Sequence, residues 1–229
     1  MSTGDRVDYD GDGLAEAALA RTPWQQVRLW VDEATRRQSR SGDVPEPAAL
    51  SVATVDAAGA QNVRTVLMRF LDERGPGFAT NLESAKAVEL QGEPRVAASL
   101  TWPSMYRSVR FRGRAEEISR EEVAAYFGSR PWGSRISAWA SQQSRPASGR
   151  AQLEDAYARY AARWPDRGGS SDVPLPGFWG GYRIRCNEVE IWAGRRNRLH
   201  DRLVFTVVPG SVNPGLDDAV AWRVTRRQP

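Results

Sequence analysis

Only one of the 229 residues is a cysteine, Cys186, and only one is a histidine, His200. A single thiol excludes an intramolecular disulfide, and one thiol with one imidazole falls short of the usual ligand set of a zinc or iron site. No metal is therefore expected. No run approaches the roughly 18 apolar residues of a membrane span, and the opening "MSTGDRVDYDGDG" lacks the apolar stretch of a secretory leader. These absences predict a cytoplasmic protein with no membrane partner. Lysine is nearly missing too: of 32 Lys and Arg residues, only Lys86 is lysine. The basic surplus, a net charge of +4 and a pI near 9.6, is thus carried by guanidinium groups. These recognise phosphate and carboxylate in a planar, bidentate way.

What is present is enough for one globular domain: 41% hydrophobic residues and a mean hydropathy of -0.55. The nine tryptophans suggest aromatic pockets or a large subunit interface. Residues 1–20, acidic and glycine-rich, read as a flexible arm, and residues 21–229 as a single domain. In "RTPWQQVRLWVDEATRR", Thr22 is the expected N-cap, Pro23 the first helical residue and Gln25 the partner in a capping box. Trp24, Val27 and Val31 supply its apolar stripe.

"ALSVATVD" and "NVRTVLMRFL" read as a hairpin, "GPGFATN" as a third strand, and "RVAASLTW" with "SVRFRGRAEEI" as a second pair. In the last, Arg110, Arg112 and Arg114 alternate with Val109, Phe111, Gly113 and Ala115, which predicts one buried face. Helices are expected over 82–91, from the Ser119/Glu122 capping box to about 129, over 134–141 and over 149–164, and strands near 180–192, 202–208 and 219–226. Antiparallel strands with separate helices predict an α+β protein, mainly β, with a barrel-like sheet and helices outside it.

Three constellations carry chemistry. In "FATNLESAK" a strand enters a helix at Asn81, and the helix N-terminus, Thr80, Ser84, Lys86 and the neighbouring Arg64 suit a phosphate. In "YFGSRPWGS", Tyr126 and Arg130 are one helical turn apart and Ser134 follows, a phenol, guanidinium and hydroxyl suited to a second phosphate. In "RRNRLHDRL", strand alternation puts Arg198, His200 and Arg202 on one face with no acid among them. Such a face is reasonable when the ligand brings negative charge, and the surrounding cations push the imidazole towards neutrality. A solvated basic turn is the plainer reading of the same residues.

With "RTVLMR", "TNLESAK", "YFGSRPWGS", "AWASQQS", "FWGGYRI", "NRLHDR" and the closing "RRQP", the chain resembles the pyridoxine/pyridoxamine 5′-phosphate oxidase family from about Arg6 to Pro229. These are FMN-dependent split-barrel enzymes. The resemblance implies an FMN-binding split β-barrel with surrounding helices, acting as a homodimer. The implied reaction is oxidation of pyridoxamine or pyridoxine 5′-phosphate by O2 to pyridoxal 5′-phosphate, with release of H2O2. It further implies that Arg64, Thr65, Val66, Leu67, Met68 and Arg69 line the flavin, and that Thr80 and Lys86 join Arg64 at its phosphate. Gln143, Ser144, Trp192 and Arg202 are implied as flavin contacts supplied across the dimer. Tyr126, Arg130 and Ser134 would clamp the substrate phosphate, with Arg69 nearby; Arg198 and His200 would be the catalytic pair over the substrate ring, and Arg6 and Tyr9 a latch.

The chain departs from the family pattern at Arg69, where lysine is usual, at Ala85 for an FMN-binding arginine, at Ser108 for a glutamine and at Ala79 for an aromatic. Three alternatives stand beside this reading. One is a related FMN oxidase of a phenazine-like pathway acting on a reduced aromatic. Another is a flavin- or pyridoxal-phosphate-binding module without turnover. The third is an RNA-binding barrel, which the placement of Phe111 opposite the arginines disfavours, so no nucleic acid is expected.

Overall fold

The computed structural model describes residues 8–229. Nine antiparallel strands form one curled sheet in the order β2-β1-β5-β6-β7-β4-β3, with β8 and β9 branching from β7. They are β1 (Ala49–Val55), β2 (Gln61–Leu67), β3 (Phe70–Asp72), β4 (Gly75–Asn81), β5 (Arg95–Trp102), β6 (Arg107–Glu117), β7 (Trp179–Ala193), β8 (Asp201–Val207) and β9 (Trp222–Arg226). The helices are α1 (Pro23–Arg40), α2 (Ala85–Gly92), α3 (Arg120–Ser129), α4 (Trp132–Ala140) and α5 (Arg150–Arg163). This is the expected barrel-like sheet with helices outside it.

The 15-residue β7 is the spine. Its first half pairs with β4, its second with β8, and β6 follows it along its length. The β6–β7 register shifts between Arg112 and Gly113. A Cβ on Gly113 would lie 1.9 Å from the Arg185 carbonyl oxygen, so only glycine fits the kink. Val109 and Phe111 are fully buried while Arg112 and Arg114 are exposed, as the alternation predicts.

The main core fills the sheet's concave side with Leu50, Leu100, Phe111, Ile191 and Phe205, closed by Val27 and Trp30 of α1. Each such buried side chain contributes about 1.5–3 kcal/mol. A second cluster, built on Phe127, Ile136 and Trp179, fixes α3 and α4 to the start of β7.

Local signals held with small shifts. Thr22 accepts the Gln25 N–H at 3.2 Å, but the glutamine that reaches back is Gln26, whose Oε1 accepts the Ala20 N–H at 2.9 Å. Ser119 caps α3 by accepting the Glu122 N–H, while the Glu122 carboxylate turns away to Arg74 and Arg183. Asn81 is not the N-cap of α2. Its Oδ1 accepts the Glu83 N–H at 2.7 Å, a local turn that delays the helix until Ala85.

Of the N-terminal twenty residues, those described run along the sheet's β7–β8 end. Leu14 is buried in the main core and donates its N–H to Asp201 at 2.7 Å, and Glu16 pairs with Arg226. No helix among the described residues is long and apolar enough to cross a membrane.

Candidate active site

A cavity of about 670 Å³ opens between β2, β4 and the helical layer. β2 lines it with Arg64, Thr65, Val66 and Leu67. The strand then breaks. Met68 donates its N–H to Ala48 and turns its side chain into the core, so it does not line the cavity as the resemblance implied. Arg69 donates its N–H to Gly77 as the chain crosses to β4, and its side chain returns to the cavity. Ala79 and Thr80 enter from β4, Lys86 from α2, Tyr126 from α3, Ser134 from α4, and Arg130, Gln143 and Trp179 complete the wall. Two of the three constellations, Thr80 with Lys86 and Tyr126 with Arg130 and Ser134, thus share one space.

No carboxylate is among the lining residues. Lys86 is 8% exposed, and its Nζ donates to Gln143 Oε1 at 2.6 Å, Thr80 Oγ1 at 3.2 Å and Ser84 Oγ at 3.4 Å. Burial, with the Arg64 guanidinium nearby, pushes its pKa down to about 8. Arg64 itself is held by Glu89 at 2.8 Å, by Thr54 and by the Val52 carbonyl. Hydroxyls and a buried ammonium with no hydrogen-bonded carboxylate are the donor set of a phosphate site.

Arg130 is not on the Tyr126 helix face. It is the C-cap of α3 with extended backbone, and its guanidinium lies 4.7 Å over the Trp179 ring. It meets Tyr126 and Ser134 at the cavity all the same. Its Nη1 is buried without a partner, and burial lowers its pKa, with Arg69 and Arg135 adding to that and Tyr126 opposing. Gln143 and Ser144, implied as contacts across a dimer, both lie beside the start of α2 of their own chain. Gln143 bonds Lys86 of its own chain, and Ser144 Oγ accepts the Ala85 N–H at 3.2 Å.

A second pocket of about 770 Å³ lies at the far end of β7 and is lined by Tyr9, Trp192, Arg195, Arg198 and His200 among others. Tyr9 stacks on Tyr106 at 4.9 Å and lies 5.3 Å from the imidazole, which itself tilts against Trp192 at 4.8 Å. Arg6, the other latch residue, lies outside the described residues.

The strand alternation of Arg198, His200 and Arg202 fails. Arg196–Arg198 form a 3-10 turn in which Asn197 and Arg198 have φ of 57° and 61°, and the strand starts only at Asp201. Left-handed backbone costs roughly 1–2 kcal/mol per non-glycine residue, so the surroundings must hold this turn. Arg202 lies opposite Trp192 on β8 and is tied to Glu190 at 2.9 Å and to the Gln228 carbonyl at 3.1 Å, outside both pocket linings. Acids do balance the segment: Arg195 pairs with Asp201, Arg196 with Asp10 and Arg202 with Glu190. Arg198 has no ion pair among the described residues. His200 Nδ1 accepts the Arg195 N–H at 3.1 Å, which leaves the proton of the neutral ring on Nε2. Its pKa is lowered, by burial first and then by Arg198, with Asp201 opposing.

Trp179, Glu89, Asp201 and Glu190 have no role in the sequence reading. Glu188 and Glu190 do carry a signal: they alternate along β7 directly opposite Arg112 and Arg110 on β6.

Residues 41–163 match the family model described as pyridoxamine 5′-phosphate oxidase, and residues 179–229 match that of the pyridoxine 5′-phosphate oxidase C-terminal dimerisation region. A pyridoxine/pyridoxamine 5′-phosphate oxidase of Kineococcus radiotolerans is 47% identical over 99% of this chain and 98% of its own. One of Thermobifida fusca is 41% identical over 98% and 96%. Among solved structures, PhzG from Burkholderia lata in complex with tetrahydrophenazine-1-carboxylic acid superposes with a TM-score of 0.81 at 25% identity, covering 96% of this chain and all of that one. A pyridoxamine 5′-phosphate oxidase-related, FMN-binding protein of Nostoc punctiforme shares the fold, with a TM-score of 0.67 at 16% identity.

Proposed function

The chain belongs to the pyridoxamine 5′-phosphate oxidase family, a family of FMN-dependent oxidoreductases, and from that premise we propose that it oxidises pyridoxamine or pyridoxine 5′-phosphate with O2 to pyridoxal 5′-phosphate and H2O2, water hydrolysing the imine of the amine substrate with release of ammonia. The observation that carries the reading is the acid-free cavity with two cations that have no salt bridge, the buried Lys86 and the half-buried Arg130, whose Nη1 is buried without a partner. One phosphate at each satisfies both. The Lys86 end, with Thr80, Ser84 and Arg64, holds the FMN phosphate. A phosphate there replaces the weak hydroxyl and amide partners of the ammonium with a full counter-charge. The Arg130 end, with Tyr126 and Ser134, holds the phosphate of the substrate, and Arg69 adds charge beside it.

FMN held by Lys86, Thr80 and Arg64 would supply the two-electron acceptor for a hydride from the substrate C4′ carbon, with dioxygen as the final oxidant. The chain supplies orientation. Thr65, Val66 and Leu67 give a wall along which a flat ring system lies. Arg198 stabilises negative charge on the substrate ring, and neutral His200 supports it as a hydrogen-bond donor through Nε2. The pocket of Arg198 and His200 is separate from the acid-free cavity within one chain. A homodimer that sets one protomer's turn against its partner's cavity completes the site, and the match of residues 179–229 to a dimerisation region supports it.

A second reading, oxidation of a reduced phenazine-type acid, is favoured by the likeness to the tetrahydrophenazine complex. The Tyr126–Arg130–Ser134 clamp argues for the phosphorylated substrate. Oxygen uptake and H2O2 formation by the FMN-loaded protein decide between them. The expected result is turnover of both B6 phosphates and none of pyridoxine or a dihydrophenazine carboxylate. Turnover of the dihydrophenazine alone would sink the first reading.

A further inference from the structure

One buried carboxylate joins three distant segments at the base of the Arg198–His200 turn. Asp201, 5% exposed, accepts the Leu14 N–H at 2.7 Å and Arg195 Nε at 2.5 Å on Oδ2, and Arg226 Nη1 at 2.5 Å on Oδ1. Its backbone pairs with Ala193, where β7 and β8 separate into the turn. We propose that Asp201 is the positioning residue of this turn, and that through it the seating of residues 8–14 is coupled to the placement of Arg198 and His200. The proposal rests on the reading that those two side chains meet the substrate.

The turn has few other holds. Asn197 and Arg198 are left-handed, a conformation that must be imposed. Arg195 ties the turn to Asp201 through its side chain and to His200 Nδ1 through its N–H; among the described residues the Arg196 side chain bonds only Asp10, itself on the N-terminal segment. The segment closes on the same junction. Gly13 has φ +70°, and a Cβ there would sit 2.1 Å from Arg195 Nε and 2.3 Å from Asp201 Oδ2. Arg226 completes a loop of contacts, since it also binds Glu16. Moving the N-terminal segment therefore moves a partner of the carboxylate that holds the turn.

The test is hydrogen exchange on the FMN-loaded full chain, alongside FMN affinity and steady-state kinetics. Asp201→Asn and Gly13→Ala reach the junction from opposite sides, so the conclusion does not depend on one variant folding. Both are expected to speed exchange in residues 8–14 and 195–200 together. Both should lower kcat/KM for pyridoxine 5′-phosphate on the order of 10- to 100-fold, as misplacement by about 1 Å does, with FMN affinity unchanged. Asp201→Glu, which keeps the charge, should recover part of both effects. Arg226→Met, which removes the Oδ1 partner but leaves the Arg195 and Leu14 N–H bonds on Oδ2, should do least. Faster exchange in one segment without the other would overturn the coupling. A lower melting temperature with normal kcat/KM and an unchanged turn would reduce Asp201 to a structural residue. If the wild type turns over no B6 phosphate, the functional reading fails, while the exchange result still decides this proposal.

Discussion

Around the cavity along β2, Arg64 is bound by Glu89, but Lys86, Arg69 and Arg130 have no salt bridge among the described residues. Around Trp192 the balance is reversed: Arg195, Arg196 and Arg202 each hold an acid, and only Arg198 does not. Both regions are arginine-rich, and the sequence alone presents them as similar. The difference lies in which charges the fold has already neutralised. A paired guanidinium has its geometry fixed and serves as scaffold. A buried cation without a counter-charge bears a desolvation cost that an anionic ligand removes.

The comparison is broken most directly at Arg198, the unpaired cation of the second region. Arg198→Ala should leave FMN bound but cost on the order of 2–4 kcal/mol in kcat/KM for pyridoxine 5′-phosphate. A wild-type rate would return the turn to plain solvated surface. Next comes Lys86→Met, which removes a charge-assisted bond of about 1.5–3 kcal/mol. Quenching of flavin fluorescence should then show FMN affinity weaker by about one to two decades.

Acidity sharpens the same point. Lys86 has its pKa lowered to about 8 in the ligand-free chain, and a phosphate dianion raises it, so binding takes up a proton. FMN affinity should be flat from the phosphate's second pKa, about 6, up to that pH and fall above it by up to about tenfold per pH unit. Lys86→Arg should flatten the profile, and a slope that persists in that variant would assign the proton to another group. The smallest effect belongs to Arg196→Ala. Its pair with Asp10 is solvent-exposed, so its loss should change stability and kcat/KM by no more than about 1 kcal/mol.

Much of this was legible in the chain. Thr22 and Ser119 announced their helices, β6 its buried face, and the clamp residues and Lys86 do meet in one cavity without a carboxylate. Asn81 misled because a short polar side chain serves a turn as readily as a helix cap. Met68 did because the strand crosses from β1 to β4 beneath it, which turns the side chain inward. The contact of Gln143 with Lys86 was not legible, because the two are 57 residues apart in sequence and no local spacing relates them.

By themselves, then, the residues determined what short-range physics controls: alternation on the strands, caps on the helices, and the kinds of side chain able to meet phosphate. Tertiary structure alone decided which of those charges remain free. Glu190 reaches Arg202 across the β7–β8 pair, and Asp201 reaches Leu14 across 187 residues. Electrostatic neutralisation depends on distance through space. The spacing that places a residue on a strand face therefore carries no information about which acid the sheet will set beside it.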